Sequence, residues 1–211
     1  MKITKYEHAC FTVEEDGQIL VVDPGNFTTD FQVTNNIVAI VITHEHADHF
    51  DSDLLASIYD KNPDSVLISL KSVTQEMPDH KSQAVTAGDV VTVGPFDLEF
   101  FGGTHAEIHP DIPLIDNLGV LINQKLYYPG DSFALPNKPI DVLALPVSAP
   151  WLKISETIEF LIAVKPRLVF PTHDAILSPS GKGIADRLVP IFAEKLGTSY
   201  TRLDRRQTIE F

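Results

Sequence analysis

The 211-residue chain contains one cysteine, Cys10, so it can form no intramolecular disulfide, and its fold must rest on an apolar core or on bound metal. No apolar stretch approaches the roughly 18 uninterrupted residues of a membrane span. The N-terminal residues, Met1-Lys2-Ile3-Thr4-Lys5-Tyr6-Glu7-His8, break up their apolar side chains with charges and offer no secretory h-region. These absences point to a water-soluble, cytoplasmic protein without a membrane partner, in which Cys10 is a buried small hydrophobe. Cations are also scarce: 16 Lys and Arg face 29 Asp and Glu, for a formal charge of −13, which disfavours adhesion to phosphate backbones. The only basic cluster, Arg202, Arg205 and Arg206, reads as a solvated strand edge.

There is also no internal repeat, no low-complexity tract and no Gly/Ser-rich linker, so residues 1–211 read as one domain. Strands are expected at residues 9–13 and 18–22, joined through Asp16-Gly17, a hairpin signal. Residues 37–42 form a continuous β-branched run suited to a strand buried on both faces, and it ends at Thr43-His44. Residues 51–59 have helical spacing, with Asp51 or Ser52 as N-cap. Further strands are expected at 65–70, 90–93, 98–101, 118–122, 125–128, 142–145, 168–170, 198–202 and 207–211. Helices are expected at 155–164 and 182–196. This mixture suits an α/β (α+β) chain with a two-sheet core and helices outside, a pattern that other α/β arrangements share.

The sharpest signal is Thr43-His44-Glu45-His46-Ala47-Asp48-His49. His-x-His-x-Asp-His arises by chance in roughly one sequence in a thousand of this composition. Imidazole and carboxylate at this density suit zinc or another first-row divalent ion. Asp23 of Asp23-Pro24-Gly25, His105 after Gly102-Gly103-Thr104, Asp131 in Tyr128-Pro129-Gly130-Asp131 and His173 in Pro171-Thr172-His173-Asp174 each stand near the end of an apolar strand.

Taken in order, these segments resemble the signature motifs of the metallo-β-lactamase superfamily across almost the whole chain. The resemblance implies a four-layer αββα sandwich and a two-metal hydrolase. One ion would take His44, His46 and His105, the other Asp48, His49 and His173, with Asp131 bridging them and Asp23 supporting the histidine loop from behind. It further implies two divalent ions, most simply Zn²⁺, with Mn²⁺ or Fe²⁺ as alternatives, sharing a hydroxide that Asp48 also orients.

His8, in Glu7-His8-Ala9-Cys10-Phe11, and the stretch from His105 through His109 to Gly119 are similar to the bacterial branch that includes ascorbate-6-phosphate lactonase-like hydrolases. In that branch His8 and His109 become candidates for substrate contact or general acid catalysis, and Trp151 a candidate apolar wall for the substrate. The substrate expected is a small ester, lactone or phosphorylated metabolite. A phosphodiesterase or nuclease is the alternative, disfavoured by the sparse basic surface, and a non-catalytic metal-dependent sensor is a second, disfavoured by the complete ligand set. The long helical lid expected in glyoxalase II and the clamping domain of RNA-processing relatives are not seen. Homo-oligomerisation is left open.

Overall fold

The computed structural model of the chain describes residues 1–211. It contains two seven-stranded sheets. The first is built from β1 (Lys2–Lys5), β2 (Phe11–Glu15), β3 (Gln18–Val22), β4 (Ile37–Ile42), β5 (Val66–Ser69), β6 (Ser82–Ala84) and the C-terminal β14 (Thr208–Glu210). The second holds β7 (Val90–Val93), β8 (Phe96–Gly102), β9 (Leu118–Ile122), β10 (Leu126–Tyr128), β11 (Val142–Pro146), β12 (Leu168–Thr172) and β13 (Ser199–Tyr200). Their orders are β14-β1-β2-β3-β4-β5-β6 and β13-β12-β11-β10-β9-β8-β7. Each sheet is antiparallel over one half and parallel over the other.

The alternation of side chains along each strand explains the layering. In β4, Ala39 and Val41 join the core between the sheets, while Ile40 and Ile42 face outward against Leu55, Ile58 and Tyr59 of α1 (Ser52–Lys61). In β11, Val142 and Ala144 point to the same central core. Leu143 and Leu145 pack against Phe160 and Leu161 of α3 (Ile154–Val164) and Val189 of α4 (Pro179–Leu196). Both faces of the central strands are therefore covered, as their unbroken apolar runs require. The short α2 (Lys71–Thr74) follows β5. The result is the four-layer αββα sandwich. No helix is long and apolar enough to cross a membrane.

Local signals set the helix ends. The Asp51 carboxylate accepts from the Asp53 and Leu54 amides and starts α1. Helix α4 begins three residues earlier than its apolar spacing suggests, because Ser178 caps the Gly181 amide and Pro179 needs no amide partner in the first turn. Three elements escape the sequence pattern. Strand β1 places a lysine, Lys5, at the second of its two buried positions after Ile3, and α2 and β6 are too short for a period to be visible. Residues 201–207 form a loop between β13 and β14, so the arginine cluster lies on a loop rather than on a strand edge. Its charges are paired: Arg202 with Asp174 and Asp186, Arg205 with Glu7 and Asp30, Arg206 with Asp30.

Strand direction places the functional loops. Strands β3 and β4 are parallel, and β8, β10 and β12 share one direction through their antiparallel or parallel partners. Asp23, the histidine loop, His105, Asp131 and His173 all follow the C-terminal ends of these strands, so they emerge along one edge of the sandwich. A hydrogen bond from the Leu118 amide to the Thr43 carbonyl, 3.0 Å, ties the two sheets together there.

The turn from β1 to β2 is organised by a buried cation. Lys5, 2% exposed, donates to the carbonyls of Tyr6 and His8 at 2.6 Å each and to that of Cys10 at 3.5 Å. Burial lowers its pKa to about 8, against the pull of Asp174. An unfolded lysine titrates near 10.4, so between those values the unfolded chain binds more protons, and stability rises with pH across that window. Relative to a Lys5→Met variant, urea unfolding of the parent chain should show a gain on the order of 2–3 kcal/mol between pH 8 and 10. A constant difference between the two proteins over that range would contradict the assignment.

Candidate metal centre

The site is built backwards from Asp23, which follows β3 fully buried and with φ of 44°. One carboxylate oxygen accepts from the Thr43 amide at 2.8 Å. The other accepts from the Thr43 hydroxyl at 2.7 Å and from His49 Nδ1–H at 2.7 Å. The Thr43 hydroxyl oxygen lies 3.1 Å from His44 Nδ1 and can accept its proton. Both rings are thus held from behind, with Nε2 free to face forward, the usual support for histidines that bind metal.

The same device repeats on the second sheet. His105 Nδ1 donates to the Ala106 carbonyl at 2.6 Å, and His173 Nδ1 to the Ser148 carbonyl at 2.5 Å. His173 has φ of 58°, a left-handed conformation that costs a β-carbon-bearing residue on the order of 1 kcal/mol and tends to cluster at functional positions. Asp131 is held through its amide by the Asn117 side chain, which also donates to the Pro129 carbonyl.

The freed atoms converge in two groups. His44, His46 and His105 form one, with His44 Nε2 and His46 Nδ1 3.1 Å apart. His8, Asp48, His49 and His173 form the other, with the Nε2 atoms of His49 and His173 3.1 Å apart and Asp48 Oδ2 3.4 Å from His173 Nε2. Asp131 lies between them: Oδ1 is 3.3 Å from His49 Nε2, and Oδ2 is 3.1 Å from His173 Nε2 and 3.5 Å from His105 Nε2. All seven residues of the sequence-derived ligand set meet at this one place.

The donor set fits divalent cations. His105 Nε2 and Asp131 Oδ1 are buried without any hydrogen-bond partner, although buried polar groups are nearly always paired. Burial resists a charge on His49, but the Asp131 and Asp23 carboxylates overcome it and push the ring pKa well up. Against the same burial, Asp131 and Asp48 raise His173 to about 9. Burial opposes ionisation of Asp131 too, yet His49 and His173 hold its carboxyl well below the usual range. In the other group, burial and the neighbouring His49 hold His44 well below the ordinary value for an imidazole. The carboxylates thus attract positive charge to a centre where some rings resist protonation, as suits a cation held by lone pairs.

The remaining candidates divide. His8, also at positive φ, 54°, lies 3.0 Å from Asp48 Oδ2 through Nε2, while its Nδ1 accepts from the Ala175 amide at 3.3 Å. That amide fixes the tautomer, so His8 donates Nε2–H to Asp48. Burial lowers its pKa to about 4 despite the Asp48 contact, which keeps the ring neutral. His109 is not brought into the cluster. Its side chain is 61% exposed, and Nδ1 accepts from the Asp111 amide. Trp151 is buried, and its indole N–H donates to Asp131 Oδ2 at 2.8 Å, a polar contact that the expectation of an apolar wall did not contain. Sequence reasoning also missed Thr43 and Asn117 as supports; only their places beside His44 and before β9 hinted at them.

A family model described as the beta-lactamase superfamily domain matches residues 2–173. The chain belongs to the metallo-β-lactamase superfamily. Protein Rv0786c of Mycobacterium tuberculosis is 36% identical over 189 residues, covering 87% of this chain and 89% of that one. Among solved structures, the fold is similar to Igni18, a metallo hydrolase of Ignicoccus hospitalis, with a TM-score of 0.75, 17% identity, and coverage of 100% of this chain and 98% of that one. It is also similar to CmlA, a diiron β-hydroxylase of Streptomyces venezuelae, with a TM-score of 0.74, 14% identity, and coverage of 100% and 54%.

Two substitutions test the supports. A β-carbon on Gly25 would lie 2.0 Å from the Asp48 backbone carbon, so Gly25→Ala should displace the histidine loop. It should cost about 1–3 kcal/mol in denaturant unfolding, whereas unchanged stability would show that the loop yields freely. Trp151→Phe keeps the aromatic ring and removes the N–H. Zinc affinity, measured by chelator competition, should fall ten- to a hundredfold, and unaltered affinity would reduce Trp151 to packing.

Proposed function

We propose that this chain is a metal-dependent hydrolase with a dinuclear centre, acting on a small ester, lactone or phosphorylated metabolite. The observation that carries this reading is the convergence of His44, His46 and His105 on one side and His8, Asp48, His49 and His173 on the other, with Asp131 in reach of both. His44, His46 and His105 would hold one divalent ion; Asp48, His49 and His173 would hold the other; Asp131 would belong to both. So held, two such ions supply a nucleophile at neutral pH and withdraw electrons from the bond to be broken.

The chain's own residues set up that chemistry. Asp23 and Thr43 orient the two histidines of the first sheet, and the carbonyls of Ala106 and Ser148 orient those of the second. Asp48, anchored by the His8 N–H, presents a carboxylate beside His173 and is the group placed to accept a proton from an attacking water. Trp151 fixes the rotation of Asp131. The finer resemblance to the ascorbate-6-phosphate lactonase-like branch is supported by His8, which reaches the centre, and not by His109, which lies outside it.

A nuclease reading is disfavoured because Arg202, Arg205 and Arg206 are each committed to a carboxylate. The fold likeness to a diiron β-hydroxylase keeps iron among the ions to be tested, since an all-His/carboxylate set does not select one metal. A cytoplasmic setting accords with the single reduced, buried Cys10.

Elemental analysis of protein purified without chelator should give two metal ions per chain. Hydrolysis of a lactone panel or of a bis-phenyl phosphodiester should be lost on chelation and restored by Zn²⁺ or Mn²⁺. Asp131→Ala should lower metal content and abolish turnover while circular dichroism shows the sandwich still folded. Two retained ions with full activity would eliminate the bridging role.

A further inference from the structure

A second cavity, of about 220 Å³, lies beside the metal centre without belonging to it. Glu7, His8, Ala175, Lys182 and Arg202 line it, with Tyr6 and Leu203. None of the seven residues assigned to the two ions is among its walls. The two meet at His8, which accepts the Ala175 amide on Nδ1 and donates to Asp48 through Nε2. At a share of about 30 Å³ per water molecule, such a space takes roughly seven waters or one small organic molecule.

Its polar walls are incompletely paired. Arg202 commits Nε to both oxygens of Asp186, at 2.7 and 2.6 Å, and Nη1 to Asp174 at 2.6 Å, but its Nη2 is buried with no partner. Lys182 Nζ lies 3.3 Å from Asp174, and an ammonium has three protons to place, so its donor capacity is not used up. On the acidic side, Glu7 Oε1 accepts from the Thr29 hydroxyl at 3.0 Å and from Arg205 at 3.1 Å, whereas Oε2 is buried with no partner. The Glu7 turn is not free to collapse onto Arg202. The ammonium of Lys5, bound by carbonyls and by no carboxylate, fixes Tyr6 and His8 on either side of it. Buried polar groups are nearly always paired. An orphaned donor and an orphaned acceptor on residues of one cavity therefore call for a guest that supplies both partners.

A simple anion would satisfy Arg202 and Lys182 but would face the unpaired oxygen of Glu7 and the nearby Asp204. A simple cation would satisfy Glu7 and leave Arg202 Nη2 orphaned. We infer that the cavity binds a small amino acid in its zwitterionic form, its carboxylate on Arg202 and Lys182, its ammonium on Glu7, and its side chain against Tyr6 and Leu203. The site is separate from the metal ions, and the inference does not depend on the hydrolase reading. Charge-assisted bonds to a planar guanidinium at one end and a carboxylate at the other make recognition depend on both groups of the ligand at once.

The test compares alanine with propionate, which lacks the ammonium, and with ethylammonium, which lacks the carboxylate. Calorimetric titration of the zinc-loaded chain should show alanine binding about ten- to a hundredfold more tightly than either. Glu7→Gln should bring alanine down to the affinity of propionate, and Arg202→Lys, which keeps the charge but removes Nη2, should weaken alanine and propionate together. Glu7→Gln is the milder change and decides the matter alone should Arg202→Lys fail to fold. Because amino acids also chelate zinc, the titration is repeated on the chelator-treated full chain, where the affinity for alanine should be unchanged. Equal affinity for the three probes, no binding of alanine at tens of millimolar, or alanine affinity unaltered in Glu7→Gln would overturn the assignment. So would binding that disappears with the zinc while circular dichroism stays the same.

Discussion

The structure turns on the buried Asp23 carboxylate. Its hydrogen bonds to the Thr43 amide, the Thr43 hydroxyl and His49 Nδ1 join the end of β3 to the start of the histidine loop. A carboxyl group at zero exposure needs such partners, because burying its polar atoms without them would cost several kcal/mol. Hydrogen bonds of this kind contribute about 0.5–1.5 kcal/mol net each, and they offset that cost. In return they orient His49 directly and His44 through Thr43. Gly25 completes the clasp, since only a residue without a β-carbon lets the chain after Asp23 lie against the Asp48 backbone.

The strain at the centre is borne by the sandwich around it. His8, Asp23 and His173 all occupy left-handed backbone conformations, and His8 accepts the His173 amide at its carbonyl. Such conformations persist only where neighbours over-determine them. Lys5 does so for His8 by bonding three carbonyls of its turn, and the parallel strands β11 and β12 fix the approach to His173. The core between the sheets, fed by alternate side chains of nearly every strand, supplies the free energy that these local costs draw down.

Much of this was legible in the sequence because the central strands are buried on both faces. The strands at residues 37–42 and 118–122 match the apolar runs residue for residue, and the clustered histidines stood out because a hydrophobic core would reject them. The resemblance, rather than the pattern, supplied the pairing of the sheets. What stayed hidden depends on contacts between distant residues. Lys5 looks like a surface cation until three carbonyls surround it. Trp151 looks apolar until its N–H meets Asp131 across 20 positions of chain. His109 shares a short stretch with His105, yet the turn at Pro110 and Asp111 leaves its ring in solvent, where nearness in sequence confers no nearness to the site.

The acidity of the chain has a bearing on catalysis. A formal charge of −13, with acidic loops near the centre, raises the energy of an anionic substrate as it approaches. An uncharged ester incurs no such penalty on binding. Where negative charge develops only in the transition state, divalent ions held by the histidines and carboxylates of the centre would stabilise it, while the distant carboxylates are screened. The field of the protein then acts on the difference between ground and transition states, the only part of binding that accelerates a reaction.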